Sequence, residues 1–158
     1  MSDFKICLAG VYRQDYQTSL EFLGVEYIAA ILRQDGYPVQ IKEIPFLKEG
    51  CFGEGLNEIL AQNPRVIGLT AFLTDYRLLE KAVIEIKNQL PDVFLFLGGP
   101  FPTVFPNELF SNLPQLDAIV IGEGEYTTLE LIKRLEKAES LSGLEGVWFR
   151  QKDGQIVS

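Results

Sequence analysis

The residues of this chain that could do chemistry are mostly glycines and hydroxyls. Gly98-Gly99-Pro100-Phe101-Pro102-Thr103 directly follows a short apolar run. Two adjacent glycines let a backbone approach a flat or bulky ligand with no Cβ in the way, and they permit positive φ. The same run also reads as a strand-to-helix turn in which Thr103 or Asn107 caps the helix. Two glycines with two prolines exceed what a cap requires, which favours a ligand. Gly122-Glu123-Gly124-Glu125 sits at a second such junction, ahead of Thr127-Thr128. Gly-x-Gly there is a weak dinucleotide signal, because Thr127 stands where the third glycine of the fingerprint belongs. The flanking acids would repel a pyrophosphate, and Glu123 and Glu125 suit a helix N-terminus for its own sake. Thr70-Ala71-Phe72-Leu73-Thr74 could line a slot with small hydroxyl and methyl groups, or cap a helix at Thr74. Tyr12, Arg13, Asp15 and Tyr16 form a polar aromatic loop whose length suggests function without naming it.

Absences narrow the chemistry further. The chain has no histidine, which removes the commonest metal ligand and the commonest general base together. A phosphoacceptor would need acids at the first strand end and an aspartate after the third, where Ala9-Gly10 and Thr70-Ala71 stand. A flavin phosphate cradle would need a hydroxyl- and glycine-rich first loop, which Gly10-Val11-Tyr12-Arg13 is not. No Walker A lysine loop, nucleophile elbow or metal-spaced cluster occurs. With 22 acidic against 14 basic residues the formal charge is −8. Such a surface repels phosphate backbones, so nucleic acid and anionic membrane are not expected partners. Cys7 and Cys51 lie far apart and suit two free thiols in a reducing compartment. No apolar string could span a bilayer, and Met1-Ser2-Asp3-Phe4-Lys5 is no secretory signal, so a cytoplasmic location is expected.

The elements that must position these residues can be read from periodicity. Strand-like runs are Lys5–Ala9, Val39–Ile44, Val66–Thr70, Val93–Leu97 and Ala118–Ile121. Between them Glu21–Gln34, Asp75–Gln89, Asn107–Leu113 and Tyr126–Ala138 carry apolar residues at i, i+3, i+4 and i+7. Leu78, Leu79, Ala82, Val83, Ile86 and Leu90 make one such stripe. Asp35-Gly36 ends the first helix with a glycine able to take a left-handed cap, and Pro38 launches the next strand. Glycine-rich Leu47–Glu58 leaves room for only a short helix, to about Gln62. Lys152-Asp153-Gly154 between two apolar strings reads as a hairpin, with the Trp148 strand at a sheet edge. Repeated strand–helix units with buried strands imply a doubly wound, flavodoxin-like (Rossmann-like) α/β domain. Its parallel sheet should have five strands in the order 2-1-3-4-5, with a C-terminal β-hairpin. One domain, residues 1–145, with the hairpin or the start of a linker at 146–158, fits the length. Ligands of open α/β sheets bind beyond the carboxyl ends of the strands, which selects Ala9–Leu23, Thr70–Tyr76, Gly98–Pro106 and Gly122–Thr128.

Taken in order, these pieces resemble the cobalamin-binding domain that precedes the catalytic barrel in many radical S-adenosylmethionine enzymes. The resemblance runs from about Lys5 to Val157. It rests on Gly24 to Leu32 with Gly36 and Val39, on Ile67-Gly68-Leu69-Thr70, on Gly98-Gly99-Pro100 with Thr103, on Asp117 to Glu125, and on Gly146 to Arg150. The wider superfamily carries Asp-x-His-x-x-Gly, Ser-x-Leu and Gly-Gly. Gly24 matches the end of the first motif, with Ser19 and Glu21 in place of its aspartate and histidine. Thr70-Ala71-Phe72 stands for the second, and Gly98-Gly99 for the third.

The resemblance implies a corrin over the strand ends and a nucleotide tail beside the sheet, bound without histidine on cobalt. The implied cofactor-binding residues are Gly10, Val11, Tyr12, Leu23, Gly24, Thr70, Ala71, Phe72, Leu73, Gly98, Gly99, Pro100, Phe101, Thr103, Gly122, Glu123, Gly124 and Glu125. A Cβ on Gly99 is expected to project toward the cofactor. No catalytic residue is expected here. An iron–sulfur cluster and S-adenosylmethionine would belong to a catalytic domain, such as a methyltransferase, supplied in cis or trans, because the cysteine triplet for the cluster is absent. The hairpin ends where the family's linker begins, which favours an excised domain over a freestanding one. A non-binding docking domain of the same fold, or a binder of another nucleotide-tailed molecule, stays open as an alternative.

Overall fold

The computed structural model describes residues 4–14, 22–47 and 50–158. Strands β1 (Ile6–Arg13), β2 (Val39–Phe46), β3 (Val66–Ala71), β4 (Phe94–Leu97) and β5 (Ala118–Val120) run parallel. Their residues are mostly buried on both faces, which suits strands covered by helices. Helices α1 (Leu23–Gln34), α2 (Glu54–Gln62), α3 (Tyr76–Gln89), α4 (Pro100–Val104), α5 (Pro106–Asn112) and α6 (Glu125–Glu136) complete the crossovers.

Each sheet face carries its own core. Val25, Ala29 and Leu32 of α1 and Leu131 and Ile132 of α6 pack on Ile6, Leu8, Phe96 and Val120. The stripe of α3, with Leu56 and Ile59 of α2 and Leu109 of α5, packs on Cys7, Ala9, Ile67, Leu69 and Leu95. Alternate residues of one strand serve opposite cores, as the pleat requires. Helix α1 stops in a Schellman motif: Gly36 sits at φ 93, its N–H donates to the Arg33 carbonyl, and Tyr37 N–H donates to Leu32.

The sheet has seven strands rather than the five expected, in the order β2-β1-β3-β4-β5-β6-β7. The hairpin strands β6 (Val147–Arg150) and β7 (Ile156–Val157) extend it antiparallel beyond β5. Trp148 pairs with Ile119, so its strand is an inner one, and β7 takes the edge in its place. Arg150 fastens this extension: its Nη2 donates to the Phe110 carbonyl at 2.8 Å and its backbone N–H to Asp117. Pro100–Val104, expected as a turn, is a helix; proline at its first position lacks only an N–H that no helical carbonyl would accept. Among the described residues no helix is long and apolar enough to cross a membrane.

Candidate functional site

A cavity of about 790 Å³ opens at the carboxyl ends of β3, β4 and β5 and reaches the sheet face between α1 and α6. Leu8, Gly68, Phe96 and Val120 line it from the sheet, and Val25 and Ile28 from α1. Register explains the floor, since Leu8 pairs with Gly68 and Gly68 with Phe96. A Cβ on Gly68 would stand 2.4 Å from the Phe96 ring and 2.8 Å from Leu8, so this glycine makes the space that the ring occupies.

Most of the residues singled out from sequence meet at this cavity. Leu23 and Gly24 reach it from α1, and Thr70, Ala71, Phe72 and Leu73 from the end of β3. Gly98, Gly99, Pro100, Phe101 and Thr103 reach it after β4, and Gly122, Glu123, Gly124 and Glu125 after β5. Thr103 ties the last two loops together. Its hydroxyl donates to the Gly99 carbonyl at 2.8 Å and accepts the Gly122 N–H at 3.0 Å.

The two glycines after β4 are not alike. A Cβ on Gly98 would meet nothing within 4 Å, so Gly98 faces open space. Gly99 has φ 103, and its Cβ would lie 2.7 Å from Thr70 Oγ1. The expectation that a Gly99 side chain would point at a ligand is therefore corrected: it would strike Thr70, whereas one on Gly98, which also lines the cavity, would meet nothing.

Gly10, Val11 and Tyr12 do not line the cavity. The Phe22 ring lies over Gly10, where an added Cβ would come within 2.1 Å of it, and stacks on Phe72 with centroids 5.8 Å apart. Val11 is buried in the core of the opposite face. The Tyr12 hydroxyl donates to Glu43 Oε2 at 2.8 Å; burial foremost, and then that bond, push its pKa up to about 12. Asp15, Tyr16, Ser19 and Glu21 lie outside the described residues.

Two buried polar side chains lie near this end of the sheet. Thr128 in the first turn of α6 lines the cavity, is fully buried, and its Oγ1 has no hydrogen-bond partner. Asp75, in the short 3-10 turn Leu73–Asp75, is buried with neither carboxylate oxygen in a hydrogen bond. Burial raises its pKa, and the nearby charge of Arg13 offsets only part of that. Among the described residues no cluster of His, Cys, Asp or Glu could hold a metal ion.

Of the lining residues, Leu8, Val25, Ile28, Gly68, Leu69, Phe96 and Val120 lie outside the strand-end segments selected from sequence, and Phe22, Val104, Phe105 and Thr128 lie within those segments without having been singled out. A lone glycine inside a strand marks a close approach, so Gly68 offered a signal. The apolar ones offered none, because a strand buried on both faces does not reveal which face holds a cavity.

The B12 binding domain family model matches residues 11–132. An uncharacterized methyltransferase of Pyrococcus horikoshii is 30% identical over 130 residues, 82% of this chain and 28% of that protein. The anaerobic magnesium-protoporphyrin IX monomethyl ester cyclase of Synechocystis sp. is 30% identical over 139 residues, 85% of this chain and 27% of that protein. The cobalamin-dependent S-adenosylmethionine radical enzyme OxsB, solved with aqua-cobalamin and S-adenosylmethionine bound, superposes with a TM-score of 0.73 at 20% identity. That superposition covers 97% of this chain and 21% of OxsB, and it speaks for the fold alone. The chain thus spans about a quarter of the length of the curated relatives it matches. Cobalamin-dependent radical S-adenosylmethionine methyltransferases are among its relatives, and with the family match covering most of its length the chain belongs to the B12-binding domain family.

Proposed function

We propose that this domain binds cobalamin base-off, with the nucleotide tail in the cavity between α1 and α6 and the corrin over the strand ends. The observation that carries this reading is the cavity itself, which joins the glycine loops at the strand ends to an apolar slot on the sheet. The residues present fit such a group. Gly24, Gly98 and Gly122 offer backbone with open space where a side chain would be. Val25, Ile28 and Phe96 exclude water from a flat base, and Thr128 holds a hydroxyl that lacks a partner. Thr103 keeps the two glycine loops in one arrangement, so little ordering remains to be done on binding.

Cobalamin, when bound, supplies a cobalt centre able to carry a methyl group or exchange an electron. The domain's own part is to bind, orient and shield it for a radical S-adenosylmethionine catalytic domain, in cis or in trans, with methyl transfer as the favoured reaction. The chain contributes no imidazole to cobalt, since it contains no histidine. In this reading residues 1–145 form the corrinoid-binding unit and 146–158 an accessory edge or a connection to the catalytic domain. Free Cys7 and Cys51 accord with work in the cytoplasm.

Titration of the protein with hydroxocobalamin, followed by absorbance, tests the reading. Saturable binding is expected, with a spectrum that lacks nitrogen ligation to cobalt. Nitrogen-ligated cobalt in the complex would overturn the base-off assignment, and an unchanged spectrum of free ligand would overturn binding altogether.

A further inference from the structure

The turn that leaves β3 is packed inside out. Phe72 and Leu73 stand 50% and 58% exposed at the rim of the cavity, while Asp75 is 1% exposed. Large apolar residues in water beside a buried acid reverse the usual partition. Neither carboxylate oxygen of Asp75 has a hydrogen-bond partner. Nor does this side chain cap α3, although it stands immediately before that helix. The turn packs against β1 and α3. On β1 the Tyr12 hydroxyl bonds to Glu43, and Arg13 offers a nearby charge but no hydrogen bond. On α3 Tyr76 packs on Phe101, Arg77 pairs with Glu80, and Lys81 lies over the Phe46 ring.

A neutral carboxyl in such a place leaves one hydroxyl group unsatisfied, whereas a carboxylate there carries the larger penalty of a desolvated charge. The turn that holds it is short, Leu73–Asp75, and its other two residues are exposed. Few contacts therefore oppose its opening. Outside, the carboxylate would regain water and lie at the N-terminal end of α3, where negative charge is favoured. Opening the turn is the less costly response to ionisation. We infer that the β3–α3 turn is a proton-controlled rim of the cavity. With Asp75 protonated it stays packed and presents Phe72 and Leu73 at the mouth, and ionisation of Asp75 opens it. Binding in the cavity is thereby linked to one proton. Burial raises the folded pKa above the ordinary 3.8, so the closed rim is complete below the unfolded value and is lost as pH rises through the folded one. That the bound molecule is cobalamin rests on the preceding reading; the opening of the turn does not.

The test follows amide hydrogen exchange in the full chain and its Asp75→Asn variant from pH 4 to pH 8, with rates corrected for their intrinsic pH dependence. Parent protection over residues 72–78 should fall about tenfold or more across this range, with α6 as the internal reference. Asp75→Asn, which keeps the shape without the charge, should hold its protection throughout. The 13C signal of the Asp75 carboxyl should titrate at the pH where protection is lost, a readout that needs no variant to fold. Hydroxocobalamin titrations at the same pH values should give a Kd that rises about tenfold in the parent relative to Asp75→Asn. That ratio cancels any titration of the ligand itself. Protection that does not change with pH, or that falls alike in both proteins, overturns the inference. So does an opening turn with an unchanged Kd ratio, because the rim would then not serve the cavity. If hydroxocobalamin binds neither protein at any pH, the cobalamin reading falls, and exchange alone decides the turn.

Discussion

Gly98 and Gly99 are neighbours with opposite tasks, and the difference can be measured. Alanine at Gly98 places a methyl group in open cavity space, so the melting temperature should hold within about 1 kcal/mol of stability while cobalamin affinity drops. Alanine at Gly99 must adopt φ near 103 and press on Thr70 Oγ1 at 2.7 Å, so about 1–3 kcal/mol of stability should go with or without ligand. Thermal melts beside absorbance titrations separate the two, and equal stability losses would contradict the assignment. Asp75 offers a pH experiment. Burial raises its folded pKa above the ordinary 3.8, so the fold disfavours its ionised form. The stability it contributes is complete below the unfolded pKa and is lost as pH rises through the folded one. Asp75→Asn should therefore be more stable than the parent at pH 7, by at least about 1 kcal/mol, with the gap closing toward pH 4. A gap that widens in acid would reverse the sign and refute this account. Asp75 as an acid was visible in the sequence, but its burial was not, because burial depends on the packing of the turn against β1.

At the scale of elements, periodic signals were legible and contact-dependent ones were not. The α3 stripe and the glycine cap after α1 follow from local spacing, which one helix displays by itself. The floor of the cavity does not, since Leu8, Gly68 and Phe96 become neighbours only through strand register. Phe22 escaped notice for a related reason: it immediately precedes α1 and gains meaning only by covering Gly10. Helix α4 was hidden by its own prolines, which resemble turn residues until their places in the first turn are known. The hairpin was legible as a hairpin at the sheet edge, whereas the hold of Arg150 on it was not. The Arg150 guanidinium donates to the Phe110 and Leu116 carbonyls and lies over the Phe110 ring. Arg150→Ala should cost about 2 kcal/mol, a fall of several degrees in Tm. Arg150→Lys should restore little of it, because a single ammonium lacks the planar fork. Full recovery by lysine would show that charge alone matters.

For the molecule as a whole, the parallel core has no local pairing. The central strand β1 finds its partners at Val39 in β2 and Val66 in β3, whereas the β6–β7 hairpin joins close neighbours in sequence. Chain closure over such separations must precede any reward from packing. Refolding from denaturant should accordingly be slow for a domain of this size, in milliseconds to seconds by stopped-flow fluorescence of Trp148; completion within microseconds would contradict the pairing scheme. The same geometry bears on synthesis. Ile6 to Val11 is made among the first residues of this sequence, is wholly buried in the finished sheet, and must wait for β3 before its second edge is covered. During translation this apolar strand thus keeps one edge bare at the ribosome for the time it takes to make roughly sixty further residues, β2 being available to the other edge sooner. Early cover for that one segment, by a chaperone or by docking of α1, should therefore raise the share of chains that reach the folded state.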